Sequence, residues 1–188
     1  AKRWIDIDNS PLHQQQLQHW IQTENWTAIE ECLSKRLQFG TAGLRGTVGP
    51  GTNRMNRGMV QQTALGIAHY VEQQSLPKSA VIGFDARNDS LQFAQDVADV
   101  LHHEGFQVDL FDRPAPTLIV AYAVQWLKAT VGVVITASHN PAPDNGFKVY
   151  WSNGAQIIPP VDTGIATAIE HISKIAVWQT HITGIQHP

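Results

Sequence analysis

One short run constrains the fold of this chain more than any other feature. Thr130–Thr136 (TVGVVIT) is apolar at almost every position. A strand with one wet face alternates apolar and polar residues. A continuous apolar run of this length therefore predicts a strand covered on both faces, as in a parallel sheet flanked by helices. Ala80–Phe84 (AVIGF) has the same character, and Phe106–Phe111 predicts a further strand. Helices are expected between them. Asp89-Ser90 opens one that carries Phe93, Val97, Val100 and Leu101, and Thr117–Leu127 forms another. Gly146–Trp151 is expected as a strand following a turn at Asp144-Asn145-Gly146, where the Asn-Gly pair suits a hairpin reversal and adds an antiparallel partner. The fold class that follows is α/β, a layered sandwich with a mixed, mostly parallel sheet covered by helices.

Upstream of the alternating region the pattern is helical. Ser10-Pro11 pairs a hydroxyl cap with proline at the first helical position, and Leu12, Leu17, Trp20 and Ile21 give the apolar stripe. Asn25 can cap a second helix carrying Trp26, Ile29, Leu33 and Leu37. Phe39–Gly51 holds five glycines and predicts a short strand entering a loop. Asn56 caps a longer helix to about Gln74 with Val60, Leu65, Ile67 and Val71 inward, and Pro159-Pro160 precedes a last helix over Val161–Ser173. The domain boundaries expected are a helical extension over 1–37, one α/β domain over 38–178, and the start of a linker over 179–188. Hydrophobic residues make up 43% of the 188, enough for one packed core rather than a disordered chain.

Charge and cysteine content exclude several classes of function. Thirteen basic residues against 16 acidic ones leave a formal charge of −3. Nucleic acids and anionic membranes need a concentrated basic surface, so neither is an expected partner, and an anionic ligand would have to be held by a local cluster. No apolar run approaches the roughly 18 residues of a spanning helix, and the N-terminus lacks a basic-then-apolar leader. Cys32 is the only cysteine, which fits a reducing, cytoplasmic compartment. The first residue, Ala1, and an end at Gly184–Pro188 without a helix stop suggest a piece of a longer protein.

Chemistry is concentrated where the most apolar strand ends. Thr136-Ala137-Ser138-His139-Asn140-Pro141 follows that strand directly, at the carboxyl end where open α/β sheets place ligands. The small residues expose Ser138, and Asn140-Pro141 shape the exit. An acyl-hydrolase reading fails, because the Gly-x-Ser-x-Gly elbow is missing and an adjacent side chain such as His139 is poorly placed to take the serine proton. The other eight histidines, including the neighbours His102 and His103, have no metal-ligand spacing.

Taken whole, this segment resembles the active-serine motif of the α-D-phosphohexomutase superfamily, the phosphoglucomutases and phosphomannomutases. Phe39-Gly40-Thr41-Ala42-Gly43-Leu44-Arg45-Gly46 resembles the N-terminal signature of the subgroup that includes phosphoglucomutase-2 and phosphopentomutase. Gly83-Phe84-Asp85-Ala86-Arg87 resembles a strand end of the family, and Asp144-Asn145-Gly146-Phe147-Lys148 the segment after its serine loop. The resemblance implies that this is the first, catalytic-serine domain of an intramolecular phosphotransferase. Such an enzyme interconverts hexose 1-phosphate and hexose 6-phosphate, of glucose or mannose, through a phosphoserine and a bisphosphorylated sugar.

On that resemblance Ser138 carries the phosphate and Lys148 is the general acid/base. Arg45 binds phosphate from its glycine-rich loop, and His139 flanks the phosphoserine. Asn140, Asp85 and Arg87 support the loop, the last two as an ion pair. The cofactor implied is Mg2+, reached from this chain only through the phosphate on Ser138, because the family's aspartate metal loop has no counterpart in this sequence. A sugar 1,6-bisphosphate is the implied activator. The implied partners are the phosphosugar and the remaining domains of the same parent chain, without which turnover is not expected. Two alternatives stay open: a phosphopentomutase, and a non-catalytic phosphosugar-binding module that keeps the serine loop. A parent chain lacking the aspartate metal loop would favour the module.

Overall fold

The computed structural model describes residues 1–5, 8 and 10–175, so the linker expected over 179–188 lies outside the described residues. The chain begins with a helical turn, α1 (Lys2–Ile5), that the apolar pattern did not announce. Next come α2 (Pro11–Gln22) and α3 (Trp26–Leu33), capped by Ser10 and Asn25 through their side chains. The α/β region comprises β1 (Leu44–Thr47), α4 (Arg57–Gln73), β2 (Ser79–Phe84), α5 (Ser90–His103) and β3 (Gln107–Leu110). It continues through α6 (Thr117–Trp126), β4 (Val131–Ile135), β5 (Asp144–Trp151) and α7 (Val161–Ile175).

The five strands form one mixed sheet in the order β1-β5-β4-β2-β3. β2 pairs in parallel with β3 and β4, while β5 runs antiparallel to both β4 and β1. Four strands therefore point one way and β5 alone opposes them. Alternation along the strands sorts the core into two layers. Ala80, Ile82, Phe84, Val131, Val133, Ile135, Phe147 and Val149 pack with residues of α4, α5 and α7. On the other face Val81, Val134 and Tyr150 pack with Val120 and Val124 of α6.

This second layer is thin, and that asymmetry positions the site. A single helix, α6, lies over β2 and β4 and reaches β5 only marginally. Lys148 is two residues from Tyr150 and so shares its face of β5. Arg45 pairs with Gly146 across β1 and β5 and also shares it. Both cations thus stand on a stretch of sheet that no helix among the described residues closes. Along α6 itself Leu118, Ile119, Tyr122 and Trp126 remain exposed. No helix among the described residues is long and apolar enough to cross a membrane.

Three sequence expectations are corrected. Asp144, Asn145 and Gly146 are not a turn: they are the first residues of β5, in register with Thr47, Gly46 and Arg45. The reversal is made earlier, by turns closed by Asn140 N–H to Ala137 O and Asp144 N–H to Pro141 O. Pairing on both edges of β5 overrides the local Asn-Gly turn preference. The second helix stops at Leu33, and Leu37 lies outside it, against Gly46 and the main core. Trp26 and Leu12, expected on buried stripes, are 58% and 75% exposed, because α2 and α3 bury only Leu17 and Cys32 in a small cluster with Trp4.

Two glycines let β1 and β5 approach. Gly43 has φ +77°, and a Cβ built there would lie 1.8 Å from the Phe147 carbonyl oxygen. Gly146 leaves room for the carbonyls of Thr136 and Leu44, 2.6 and 2.9 Å from where its Cβ would stand. Gly43→Ala combines left-handed strain with a backbone clash. It is expected to lower unfolding free energy by about 2–4 kcal/mol, read as a lower urea midpoint at unchanged slope.

Candidate active site

Ser138 lies beyond the end of β4, in the first of the two turns that lead to β5. Its φ is +57°, in the left-handed region that non-glycine residues seldom occupy. The conformation is held from both sides of the residue. Ser138 N–H donates to Thr136 Oγ1 at 2.9 Å, and its carbonyl accepts from Arg87 Nη2 at 2.9 Å. The consequence is an exposed side chain on a restrained backbone.

Lys148 comes up from β5 and donates from Nζ to Ser138 Oγ at 2.7 Å. Burial pushes its pKa below the ordinary lysine value and the Arg45 guanidinium pushes the same way, with Asp85 acting in opposition. The amine beside the serine hydroxyl is therefore easier to deprotonate than a solvated lysine. Arg45 sits on β1 across from Gly146. Its Nη1 makes one long contact, 3.5 Å, to Asn140 Oδ1, while its buried Nε has no hydrogen-bond partner among the described residues. A guanidinium with unused donors beside a serine hydroxyl and a lysine is suited to take up phosphate oxygens.

The support beneath the loop comes from the end of β2. Arg87 Nε lies 3.2 Å from Asp85 Oδ2, and the Arg87 guanidinium donates to the carbonyls of Ser138, Asn140, Pro141 and Asp144. Asn140 Nδ2 donates to Asp144 Oδ2, and Thr47 Oγ1 to Asp144 Oδ1. Thus the structure brings together Ser138, Lys148, Arg45, Asn140, Asp85 and Arg87 from four separate segments. His139 is exposed and makes no hydrogen bond or ion pair among the described residues. Thr136, Asp144, Ser90 and Asn145, named above only as members of motifs or as a helix start, join the cluster with no role in the site expected of them. The first two flank the serine loop as polar residues at strand ends, a signal that was available.

Among the described residues no three His, Cys, Asp or Glu side chains gather as metal ligands. Ser138 offers one oxygen, so the side chains present do not by themselves make a metal centre.

Known proteins resemble this chain in sequence and in fold. A family model described as phosphoglucomutase/phosphomannomutase, alpha/beta/alpha domain I, matches residues 36–176. Phosphopentomutase of Mus musculus is 42% identical over 177 residues, covering 89% of this chain and 28% of its own length. Phosphoglucomutase of Staphylococcus epidermidis is 37% identical over 169 residues, covering 90% of this chain and 30% of its own length. A crystal structure from Thermus thermophilus, described as that of a candidate phosphomannomutase, superposes with TM-score 0.67 at 27% identity, covering 72% of this chain and 30% of that one. The chain thus spans under a third of the length of the curated relatives it matches. By motif order, fold and family match alike, the chain belongs to the phosphoglucomutase/phosphomannomutase family and carries its α/β/α domain I.

Proposed function

We propose that this domain supplies the phosphoryl carrier of a phosphosugar mutase, with Ser138 as the carrier. The observation that carries the reading is the 2.7 Å contact between Lys148 Nζ and Ser138 Oγ at the end of the central apolar strand. In the forward step the bond between phosphorus and Ser138 Oγ breaks and a bond from phosphorus to a sugar hydroxyl oxygen forms. The hydroxyl proton ends on Ser138 Oγ, and Lys148 stands where it can pass that proton. The bisphosphorylated sugar then turns and returns its other phosphate to Ser138. Transfer of this kind depends on positioning and charge stabilisation, for which Arg45 offers unused guanidinium donors. His139 completes the phosphate surroundings from the solvent side. Mg2+ would neutralise part of the phosphate charge, with Ser138 reaching it only through its phosphate and the other ligands coming from outside these residues. The setting proposed is the cytoplasm, where the buried free thiol of Cys32 stays reduced.

Hexose and pentose phosphates are both supported as substrates: the hexose reading by the phosphomannomutase and phosphoglucomutase likeness, the pentose reading by the 42% identity to phosphopentomutase. Turnover of glucose 1-phosphate, mannose 1-phosphate and ribose 1-phosphate by the full-length enzyme, compared as kcat/KM, decides between them. The carrier role is tested by incubating that enzyme with a sugar bisphosphate and mapping the phosphate. Phosphate on Ser138 is the expected result, and consistent mapping elsewhere would overturn the reading.

The 188-residue chain alone is expected to give no turnover above background. Among the described residues it presents the carrier on a sheet face that no helix covers, and walls to orient a sugar and exclude water would come from outside them. Robust turnover by the isolated chain that disappears in Ser138→Ala would contradict this.

A further inference from the structure

Behind the serine loop runs a polar chain that the proposed reaction does not use. Asn145 is fully buried within β5, a poor place for an amide unless its hydrogen bonds are made. Its Nδ2 donates to Ser90 Oγ and to Asn88 O, both at 3.0 Å. Ser90, also fully buried, donates from Oγ to Asp85 Oδ1 at 2.7 Å. Asp85 Oδ1 also accepts from Arg87 N–H at 3.0 Å, and Oδ2 faces Arg87 Nε. Arg87 ends the chain. Nη1 donates to Pro141 O and Asp144 O at 2.9 and 3.1 Å, and Nη2 to Ser138 O and Asn140 O at 2.9 and 2.8 Å.

A guanidinium has five N–H donors. In Arg87 four go to loop carbonyls and the fifth faces Asp85, so none is left for a phosphate. This separates Arg87 from Arg45, whose Nε is unclaimed. Burial makes the Asn145 amide and the Ser90 hydroxyl depend on these partners, whereas Asp85 at the loop end keeps 26% of its side chain exposed. What the chain does achieve is a fixed relation between two backbones. One end is rooted in β5, three residues before Lys148. The other grips the carbonyl of Ser138, whose left-handed φ needs external restraint.

We propose that Asn145, Ser90, Asp85 and Arg87 form a strut that fixes Ser138 against the strand carrying Lys148, which makes them positioning residues for phosphoryl transfer. The proposal rests on the mutase reading. The strut sets how far the serine oxygen stands from the lysine amine, and a misplacement of about 1 Å at such a site lowers rates by about 100-fold.

Two variants of the full-length enzyme test it, Arg87→Lys and Ser90→Ala, each first checked for cooperative thermal unfolding. Lysine keeps the charge of Arg87 but has three donors on one point and cannot span four carbonyls. Arg87→Lys is expected to slow single-turnover transfer from phosphorylated Ser138 by about 10–100-fold, with KM changed less than about threefold. Ser90→Ala removes one oxygen from the middle of the strut and is expected to show the same pattern at about 5–10-fold. If Arg87→Lys does not fold, Ser90→Ala decides alone. Normal transfer rates in the folded variants, or a raised KM at unchanged kcat, overturn the strut. Ser138→Ala run alongside separates the two readings. If it is inactive while the strut variants are normal, only the strut fails; if it turns over normally, the mutase reading itself fails.

Discussion

Ser138→Ala in the full-length enzyme is expected to lower kcat by at least about 10⁴-fold while shifting unfolding free energy by less than about 0.5 kcal/mol. The separation follows from where the residue sits. Its side chain is exposed, and its hydrogen bond to Lys148 is likewise exposed, so deleting Oγ removes no core contact and leaves no buried donor unpaired. The left-handed backbone strain is common to serine and alanine and cancels in the comparison. Turnover, on the proposed carrier role, has no substitute among the described residues of the loop. Neither Thr136, whose Oγ1 is engaged by the Ser138 amide, nor the exposed His139 stands at the same point. The measurements are steady-state turnover and urea unfolding of the same preparation. Retention of more than a few per cent of wild-type kcat would remove Ser138 from the reaction.

Why could the site be read so far from the sequence, and no further? The central strands were legible because burial on both faces writes itself into consecutive residues, as in Val131–Ile135 and Ala80–Phe84. The position of Ser138 followed from the end of such a strand. Lys148 was singled out through the family resemblance, and its 2.7 Å contact with Ser138 is made by a reversal that lies before Asp144, not at the turn expected over residues 144–146. Asn-Gly carries a strong local turn signal. In this chain, however, β1 and β4 take both edges of β5, and the amide of Asn145 is used inside the protein rather than in a turn. Arg87 marks the limit of such reading. It was expected to brace the loop through Asp85, but its main partners are backbone carbonyls 51–57 residues away, and a carbonyl has no sequence identity. Ser90 was legible only as a helix start. That it binds Asp85 and Asn145 depends on how β2, α5 and β5 come together.

Lys148 is where charge and proton transfer can be told apart. In the proposed return step a sugar bisphosphate phosphorylates Ser138. Phosphorus bonds to Oγ as its bond to the sugar oxygen breaks, and the freed sugar oxygen takes up a proton in turn. The Oγ proton leaves for a base 2.7 Å away. Only the neutral amine of Lys148 can accept it. Burial and the Arg45 charge lower the Lys148 pKa, so the neutral fraction near pH 7 exceeds that of a solvated lysine. The sign follows: single-turnover phosphorylation of the dephosphorylated enzyme should rise with pH through that lowered pKa and level off before the ordinary lysine value. Lys148→Ala removes base and charge together. Lys148→Arg keeps the charge, but a guanidinium does not deprotonate in a protein. Both variants are expected to lose about 10²–10⁴-fold in the transfer rate, with the pH limb abolished and KM for the bisphosphate nearly unchanged in the arginine variant. Recovery of most of the wild-type rate by Lys148→Arg, with a flat pH profile, would mean that the residue serves only as a positive charge and that the serine proton leaves by another route.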